Sequence, residues 1–513
     1  MISVETILPD EWRRTCERAL EEGRFLGLYA VEGPGVRALF SVPGGVRVLR
    51  CATATPTIVD LAPAAGWDER EAHDLYGAAF AGHEPLRPLL AHPPELEAWT
   101  VPVRGEDSYQ VAVGPIHAGV IESGHFRFHV VGERILHLDA RLFYKHRGLE
   151  RAAEGTSPAL GLPFIGRACA ACAVANTVAY AQACEAARGL VADAELARAR
   201  TILLELERIY NHLHDVGAIC AGVGFAAGNM LFASLKERAQ RLNLSLTGHR
   251  FLFGQVAVGT GAFALHAVEA DRLREELTDL RDAAARGWRE LRFNDSVQDR
   301  LHGIGRLSSA EAQQLGTVGP AARASGIQHD ARMESPQLAY AGFTAAAPHE
   351  PEGDIAARIE MRAVELAASL ELLDDLLARP LTGGGTISGA VPAEIGVGRV
   401  ESPRGETVCA VELHGDAVAR VHLRTGSYAN WPSVAHAAAG HEQHVGVAGR
   451  GDDREPELLE VVVRVGGRAQ LVLAAVAGAG IDVAEGKRAS ARGCGQCDLA
   501  TEAGKLSEQD EHG

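Results

Sequence analysis

The stretch LLELERIYNHL, residues Leu203–Leu213, decides the fold of this 513-residue chain. Its apolar residues recur three and four positions apart, and that spacing places them on one face of an α-helix. The same spacing continues through a region rich in Ala, Leu, Glu and Arg that runs from about residue 160 to residue 285. We therefore expect several long helices, packed against one another, in the middle of the chain.

Strand-like runs stand on both sides of this helical region. Before it, residues 108–140 contain YQVAVGP, HFRFHVVG and RILHLDA, three alternating runs with Gly at the turns. Such alternation is typical of paired strands. After it, Ile355–Leu377 has the periodicity of another helix, and Val397–Arg424 returns to short alternating runs that predict a small β element.

The first part of the chain is a smaller unit. Trp12–Glu22 has helical spacing, two apolar runs follow it, and Asp68–Tyr76 is again helix-like. The prolines and charges that come next indicate a linker. The fold class that we expect is α+β: a small N-terminal α/β domain, then a β-rich segment and a large helical core. The expected domains are residues 1–92, a linker 93–107, the main domain 108–440 and a C-terminal extension 441–513.

The composition excludes several classes of protein. Apolar residues make up 47% of the chain and charged residues 23%, a mixture typical of a globular protein. The formal net charge of −17 does not suit binding to a nucleic-acid backbone, which requires clustered cations. Hydropathy indicates no membrane-spanning segment, and the acidic N-terminus is unlike a secretory signal. With nine cysteines and no export signal, we expect a reducing, cytoplasmic compartment rather than structural disulfides.

Four of the nine cysteines form two Cys-x-x-Cys pairs. Cys169 and Cys172 stand in GRACAACAVAN, and Cys494 and Cys497 stand in ARGCGQCD. Two intervening residues let both sulfur atoms of a pair turn toward one metal ion, so the four thiolates form a candidate site for zinc or another soft metal. For Cys169 and Cys172, the alternative is two small buried cysteines on an Ala-rich helix. The other cysteines are isolated, and we expect them to pack in the cores.

Glu122 is the candidate catalytic residue. It lies in GPIHAGVIESGHFRF, at a Gly-bounded turn between two strand-like runs. A carboxyl group beside a buried metal has a raised pKa because burial disfavours its charge, and it can then relay protons near neutral pH. The alternative is an ordinary solvated carboxylate in a turn.

Several strings of the sequence resemble one known family. In chain order, these strings are VGPIHAGVIESGHFRF, RLFYKHRGLE, LLELERIYNHL, GIGRL, VGPAARASG and SYANWPS. They resemble the large catalytic subunit of membrane-bound nickel–iron hydrogenases of the formate-hydrogenlyase type (group 4). That subunit is related to the quinone-side subunit of respiratory complex I, NADH-quinone oxidoreductase. The string EREAHDLYGAAFAGHEPLRPLL, residues 69–90, is similar to the small hydrophilic subunit of complex I. The resemblance covers most of residues 65–435.

The resemblance implies a subunit of a membrane-associated redox complex that couples electron transfer to proton reduction or quinone chemistry. In the hydrogenases of this family, four thiolates from an N-terminal and a C-terminal Cys-x-x-Cys pair hold the nickel of a nickel–iron centre, and a nearby Glu takes up the proton. By resemblance, Cys169 and Cys172 occupy the first pair, and Glu122 occupies the position of the proton-relay Glu. Cys494 and Cys497 are the candidates for the second pair.

Departures from the family pattern support a second hypothesis. The family's Cys-Gly-x-Cys-x-x-x-His has Ala170 in place of Gly and Asn176 in place of His. The second cysteine pair follows SYANWPS only after a long interval, and Arg-Gly precedes it where the family has Asp-Pro. Ile121 stands where the complex I subunit has a His that faces the quinone head group. The alternative is therefore a metal-free structural or coupling subunit of such a complex that has lost nickel–iron catalysis.

The resemblance also implies partner proteins. An iron–sulfur small subunit would carry the iron–sulfur clusters, none of which we expect in this chain, and membrane ion-pumping subunits would complete the complex. We expect no nucleic-acid partner and no direct membrane span. The chain would then lie peripherally on the cytoplasmic face of the membrane, attached through its partner subunits.

Overall fold

The computed structural model describes most of the first 439 residues. The C-terminal extension expected at residues 441–513 lies outside the described part, and the other predicted domain boundaries stay predictions. The described residues are 2–33, 35–103, 108–115, 124–132, 134–334 and 337–439.

The N-terminal unit is a four-stranded sheet with two helices. Its elements are β1 Ile2–Thr6, α1 Trp12–Glu22, β2 Arg24–Ala30, β3 Val36–Val42, β4 Gly45–Cys51, α2 Ala65–Tyr76 and a short strand pair, β5 Thr55–Pro56 with β6 Phe80–Ala81. The sheet has the order β1-β4-β3-β2, with β1 and β4 parallel and the other neighbours antiparallel. Trp12, Cys16 and Ala19 recur four and three positions apart, so α1 turns one buried face inward. The helix predicted at Trp12–Glu22 is confirmed.

The second sheet contains three antiparallel strands. They are β7 Tyr109–Val113, β8 His125–Val131 and β9 Arg134–Arg141, in the order β7-β8-β9. Phe126, Phe128 and Val130 alternate along β8 and are buried. The three alternating runs of the sequence are thus confirmed as strands. The segment that precedes β7 packs against this sheet. Its Trp99 is buried, and the Val101 N–H donates to the Asp139 carboxylate on β9.

Long helices form the core, as the sequence predicts. The elements are α3 Leu149–Ala153, α4 Pro158–Gly166, α5 Ala173–Ala187, β10 Leu190–Ala192, α6 Ala194–Gly222, α7 Ala226–Thr247, α8 Ala267–Arg292, α9 Asp295–Gln298, α10 Ser309–Gln314, α11 Gly319–Ala324 and α12 Ile355–Leu376. α6 begins after Asp193, whose carboxylate accepts the N–H of Leu196. Both α7 and α12 pack against α6. None of the helices in the described part of the chain is long and apolar enough to cross a membrane.

A third sheet closes the core. Its elements are β12 Ile395–Ser402, β13 Gly405–His414 and β14 Ala417–Arg424, followed by α13 Gly426–Ala438, while β11 Thr386–Ser388 pairs with β10. The order β12-β13-β14 is antiparallel. α5 lies directly on β12, because a Cβ at Gly398 would come within 1.9 Å of the Ala179 carbonyl oxygen. Glycine in the strand therefore permits the close approach of the helix backbone.

The N-terminal unit and the third sheet share one apolar cluster, which we call the seam. Next to it, Arg424 Nε on β14 donates to Asp68 Oδ1 on α2 at 3.1 Å, and both side chains are buried. Apolar burial of this kind is the main favourable contribution to packing. The seam consists of Leu26, Tyr29, Leu39, Val46, Val48, Ile395, Val397, Val408 and Ala410.

Candidate functional site

The first cysteine pair lies at the start of α5. Cys169 precedes a single turn of 3-10 helix, Ala170–Cys172, and α5 begins at the next residue. Asn211 Nδ2 on α6 holds this turn by donating to the Ala171 carbonyl oxygen at 2.7 Å. A hydrogen bond that the Cys172 thiol donates to the Cys169 sulfur, together with burial, raises the pKa of Cys172 well above its usual value. The structure therefore brings the two sulfur atoms of the predicted pair together.

A buried guanidinium group lies against the Cys172 sulfur. Arg404 stands in the turn between β12 and β13, and its Nη1 donates to Cys172 Sγ at 3.3 Å and to Asn211 Oδ1 at 3.0 Å. Burial alone would lower the pKa of Arg404, but Cys172 and Asp215 outweigh burial and raise it. Arg404 is therefore a permanent positive charge beside the sulfur, and such a charge stabilises a thiolate.

Asp215 on α6 balances the charge of Arg404. Its Oδ1 lies 3.7 Å from Arg404 Nη2, and its Oδ2 accepts a hydrogen bond from Arg362 Nε on α12 at 3.1 Å. All three side chains are buried. Burial would raise the pKa of Asp215, but the two guanidinium groups outweigh it and hold that pKa below its usual value. Asp215 is therefore ionised, and it orients Arg404 toward the cysteine pair.

Glu207 on α6 supports the first turn of α5. It is fully buried, and its carboxylate accepts the backbone N–H groups of Val174 at 2.7 Å and Ala175 at 3.0 Å. These N–H groups have no partner within the helix, so the carboxylate caps it. Burial raises the pKa of Glu207 to about 8; the two backbone hydrogen bonds oppose this shift and the nearby Cys169 adds to it. A carboxyl group that exchanges its proton near neutral pH thus lies beside the thiols.

Asn176 is a buried polar residue one turn beyond Cys172 on α5. It has no solvent exposure, and neither its amide nitrogen nor its amide oxygen has a hydrogen-bond partner among the described residues. Buried amide atoms without partners cost free energy and are rare. This unsatisfied group stands at the position where the resembled family has a His.

Three of the five predicted site residues lie outside the part of the chain that the structure describes. They are Glu122, Cys494 and Cys497. The structure therefore brings together only Cys169 and Cys172, and the metal-binding role of the four cysteines stays a prediction. The isolated cysteines expected to pack in the cores are buried: Cys16, Cys51, Cys184, Cys220 and Cys409.

The sequence interpretation did not find the polar residues that surround the cysteine pair. Glu207, Asn211 and Asp215 recur four positions apart along α6 and therefore share one face of that helix. This second, polar stripe was visible within and just after LLELERIYNHL, beside the apolar stripe that predicted the helix. Arg404 had no comparable pattern, because its contacts depend on where the turn between two strands meets the helical core.

Comparison with known proteins identifies the family. Residues 222–390 match the family model described as respiratory-chain NADH dehydrogenase, 49 Kd subunit, and residues 34–110 match that described as the 30 Kd subunit. Over 426 residues the chain is 30% identical to formate hydrogenlyase subunit 5 of Escherichia coli (strain K12), and the match covers 75% of this chain and 73% of that subunit. The chain belongs to the family of this hydrogenase subunit.

A second relative agrees with this family assignment, and a solved structure has the same fold. Hydrogenase-4 component G of Escherichia coli (strain K12) is 30% identical over 465 residues, covering 83% of this chain and 78% of that component. The structure of the membrane-bound sulfane sulfur reductase (MBS), an archaeal respiratory membrane complex, contains a chain of the same fold. The TM-score is 0.62 at 22% identity, covering 71% of this chain and 96% of that chain.

Family membership confirms several predictions made from the sequence. The chain joins two complex I-type regions in one polypeptide, and its α+β fold class is the expected one. It is an oxidoreductase subunit of the kind found in hydrogenase and NADH-quinone oxidoreductase complexes. The solved structure that shares this fold is that of an archaeal respiratory membrane complex.

Proposed function

We propose that the chain is the large subunit of a membrane-associated hydrogenase of the formate-hydrogenlyase type, with a nickel–iron centre held by Cys169, Cys172, Cys494 and Cys497. The observation that carries this proposal is the convergence of two thiols beside a buried arginine, at the start of α5. Thiolates are the ligands that nickel and iron accept in such sites. The donor set of the described pair therefore fits the metal centre.

One neighbour of the thiols, Arg404, favours the thiolate form that binds a metal. Arg404 faces the Cys172 sulfur and lowers the cost of removing its proton, because a positive charge stabilises the thiolate. Asp215 keeps Arg404 in this orientation, and burial excludes water from both. A nickel–iron centre bound here would supply the two-electron chemistry that interconverts hydrogen and protons.

Two carboxyl groups are assigned to proton movement in this proposal. Glu122 takes the relay position that the resemblance implies. Glu207 is a second candidate, because its pKa of about 8 lets it hold or release a proton at neutral pH beside Cys169. Its two backbone hydrogen bonds fix the carboxylate in place, so the proton would be exchanged at a defined position.

The proposed function requires partner subunits. We assign the iron–sulfur clusters to a small subunit that receives or delivers electrons, and we assign ion pumping to membrane subunits. The chain would be held on the cytoplasmic face of the membrane through these partners. The absence of a membrane-crossing helix in the described part of the chain is compatible with such attachment.

The test is elemental analysis of the full chain purified anaerobically with its complex. We expect about one nickel per chain, in line with a four-thiolate nickel site. Cys172→Ala should remove the nickel, since it deletes one of the two convergent thiols. Cys409→Ala is the matched control, because Cys409 is an equally buried cysteine in the third sheet and should leave the nickel content unchanged. Equal nickel content in both variants would contradict the proposal.

A metal-free coupling subunit is the second candidate function, and Asn176 favours it. Its amide is buried without a hydrogen-bond partner in the described chain, and an amide at this position supplies no imidazole to hold the thiols. Side chains that hydrogen-bond to metal ligands orient them. If the chain co-purifies with iron–sulfur and membrane subunits but contains no nickel, this second function replaces the first.

A further inference from the structure

The two thiols at the start of α5 have the geometry of a pair that can form a disulfide. The Cys172 N–H donates to the Cys169 carbonyl oxygen at 3.3 Å, so the two residues end one tight turn. The Cα atoms at the ends of such a turn lie less than about 7 Å apart, and a disulfide spans about 4.4 to 6.8 Å between Cα atoms. The Cys172 thiol also donates to the Cys169 sulfur, so the side chains already face each other. A disulfide between them therefore needs little movement of the backbone.

The two sulfur atoms differ in their access to solvent. Cys169 is partly exposed, whereas Cys172 is buried with 3% exposure. A small molecule that approaches from solvent therefore meets Cys169 first. Thiol–disulfide exchange requires one accessible sulfur that reacts with the external molecule, and a second sulfur close enough to complete the protein disulfide. The pair supplies both.

Arg404 makes the exchange reversible. Its Nη1 lies 3.3 Å from Cys172 Sγ. When an external thiol attacks a disulfide of this pair at the accessible Cys169 sulfur, Cys172 is the sulfur that leaves as a thiolate. The adjacent positive charge stabilises that thiolate, and a more stable thiolate leaves faster. The disulfide is therefore open to reduction by small thiols.

The other cysteines in the described part of the chain are buried and isolated in sequence. Cys184 is the nearest of them along the chain, and it also lies on α5. Burial raises the pKa of Cys184 to about 12, so it offers almost no thiolate, which is the reactive form. Within the described residues, we therefore expect exchange only at Cys169 and Cys172.

We propose that, in the chain without bound metal, Cys169 and Cys172 interconvert between a dithiol and a disulfide by exchange with small thiols and disulfides such as glutathione. First, the Cys169 thiolate attacks one sulfur of the external disulfide, which forms a mixed disulfide and releases a thiolate that takes up a proton. Cys172 then attacks the Cys169 sulfur, which closes the protein disulfide and releases the second external thiol with the proton from Cys172. Two electrons pass from the pair to the external disulfide, which is reduced to two thiols.

The exchange would regulate metal loading, and in this respect it rests on the proposed function. A metal ion requires both sulfur atoms as thiolates. The disulfide offers none, so the chain would accept nickel only after the pair is reduced. The exchange itself needs no metal and can be measured without one.

The test is a titration of the full chain, freed of metals by a chelator, with mixtures of reduced and oxidised glutathione. Acid stops the exchange, free thiols are labelled, the disulfides are reduced, and the released thiols receive a second label. Trypsin cleaves after Arg167 and Arg188, and the peptide between them contains Cys169, Cys172 and Cys184. Mass spectrometry of this peptide should show Cys169 and Cys172 oxidised together, while Cys184, the internal control, stays reduced.

Two alanine variants separate the roles of the sulfur atoms. Cys172→Ala cannot close the protein disulfide, so Cys169 should accumulate as a mixed disulfide with one glutathione. Cys169→Ala retains only the buried sulfur and should take up no glutathione at Cys172. Far-UV circular dichroism shows whether each variant folds, and the titration of the parent chain decides if they do not. The proposal is overturned if both cysteines stay reduced in a large excess of oxidised glutathione, or if folded Cys172→Ala takes up no glutathione at Cys169.

The nickel content of the native complex decides the proposed function separately. If the complex contains nickel and the metal-free chain does not exchange, this inference is overturned and the proposed function stands. If the chain exchanges and the complex contains no nickel, the exchange stands and the proposed function fails.

Discussion

His329 holds a positive charge inside the protein. Its Nδ1 lies 3.2 Å from Glu334 Oε1 and its Nε2 lies 3.6 Å from Glu406 Oε2. Burial lowers the pKa of His329, but the two carboxylates outweigh burial and raise it to about 9. Glu406 in turn pairs with Arg24 of the N-terminal unit at 2.6 Å, so this single histidine is part of a charge cluster that spans two sheets.

We predict that this histidine makes stability depend on pH. Because its folded pKa exceeds the ordinary value of 6.5, its contribution is complete below about pH 6.5 and is lost as the pH rises toward 9. The contribution is on the order of 3 to 4 kcal/mol, because the pKa is raised by about 2.5 units and each unit is worth about 1.4 kcal/mol. Urea denaturation of the parent chain and of His329→Gln, measured from pH 6 to pH 9.5, should converge as the pH rises. A constant difference between them would refute this assignment.

Single residues were predictable only where the sequence places them close together. Cys169 and Cys172 were found because two intervening residues are a recognisable pattern, and their sulfur atoms do meet. Arg404 and Asp215 complete the same cluster from elements that lie far away along the chain. Their contacts follow from helix and sheet packing, which spacing in the sequence does not reveal.

At the scale of elements, α5 connects the cysteine cluster to the third sheet. The cysteine pair lies at the 3-10 turn directly before it, and its middle lies on β12 with helix backbone against strand backbone. A Cβ at Gly396 would meet the Ala183 carbonyl oxygen at 1.9 Å, in the same way as one at Gly398 would meet Ala179. The position of the thiols therefore depends on glycines that are distant from them in sequence.

We predict that Gly398→Ala displaces α5 and destabilises the chain. The added methyl group overlaps a backbone oxygen that cannot move by itself, and overpacking of this kind costs about 1 to 3 kcal/mol or more. Thermal denaturation should show the loss, and the metal content of the cysteine site should fall with it. Gly389→Ala is the control, since a Cβ there meets nothing within 4 Å. Equal stability of the two variants would contradict the close approach.

Helices and strands were predicted unequally well. Trp12–Glu22 is confirmed at both ends, and Ile355–Leu377 ends one residue earlier than expected, because both helices have a clear apolar periodicity. The strand Val36–Val42 was not predicted as a separate element, although it pairs with both β2 and β4. Three consecutive residues of this strand, Ala38, Leu39 and Phe40, are buried. The alternation of apolar and polar residues that marks a half-exposed strand is therefore weak there.

At the scale of the molecule, the N-terminal unit and the main domain behave as one folded body. The seam buries apolar residues from both, and the Asp68–Arg424 ion pair crosses the same boundary. The sequence predicted two neighbouring domains, but it did not reveal a shared core, because the two halves of the seam are separated by most of the chain.

We predict that residues 108–513 are poorly soluble when produced without the first 107 residues. Removing the N-terminal unit exposes the seam residues of β12 and β13, and large exposed apolar patches promote association. Size-exclusion chromatography and binding of a hydrophobic dye measure this effect. Co-expression of residues 1–107 as a separate chain should restore a soluble particle. If residues 108–513 alone form a monomer that does not bind the dye, the seam is not needed for solubility.

The seam also bears on gene dosage. Because both of its faces belong to one polypeptide, they meet at an effective concentration on the order of millimolar, whatever the number of molecules in the cell. Two separate products would dissociate on dilution unless their contact were tight, and the cell would have to synthesise them in equal numbers. The fused chain needs neither a tight contact between separate products nor their equal synthesis. It delivers both faces together, in a fixed one-to-one ratio, at every level of expression.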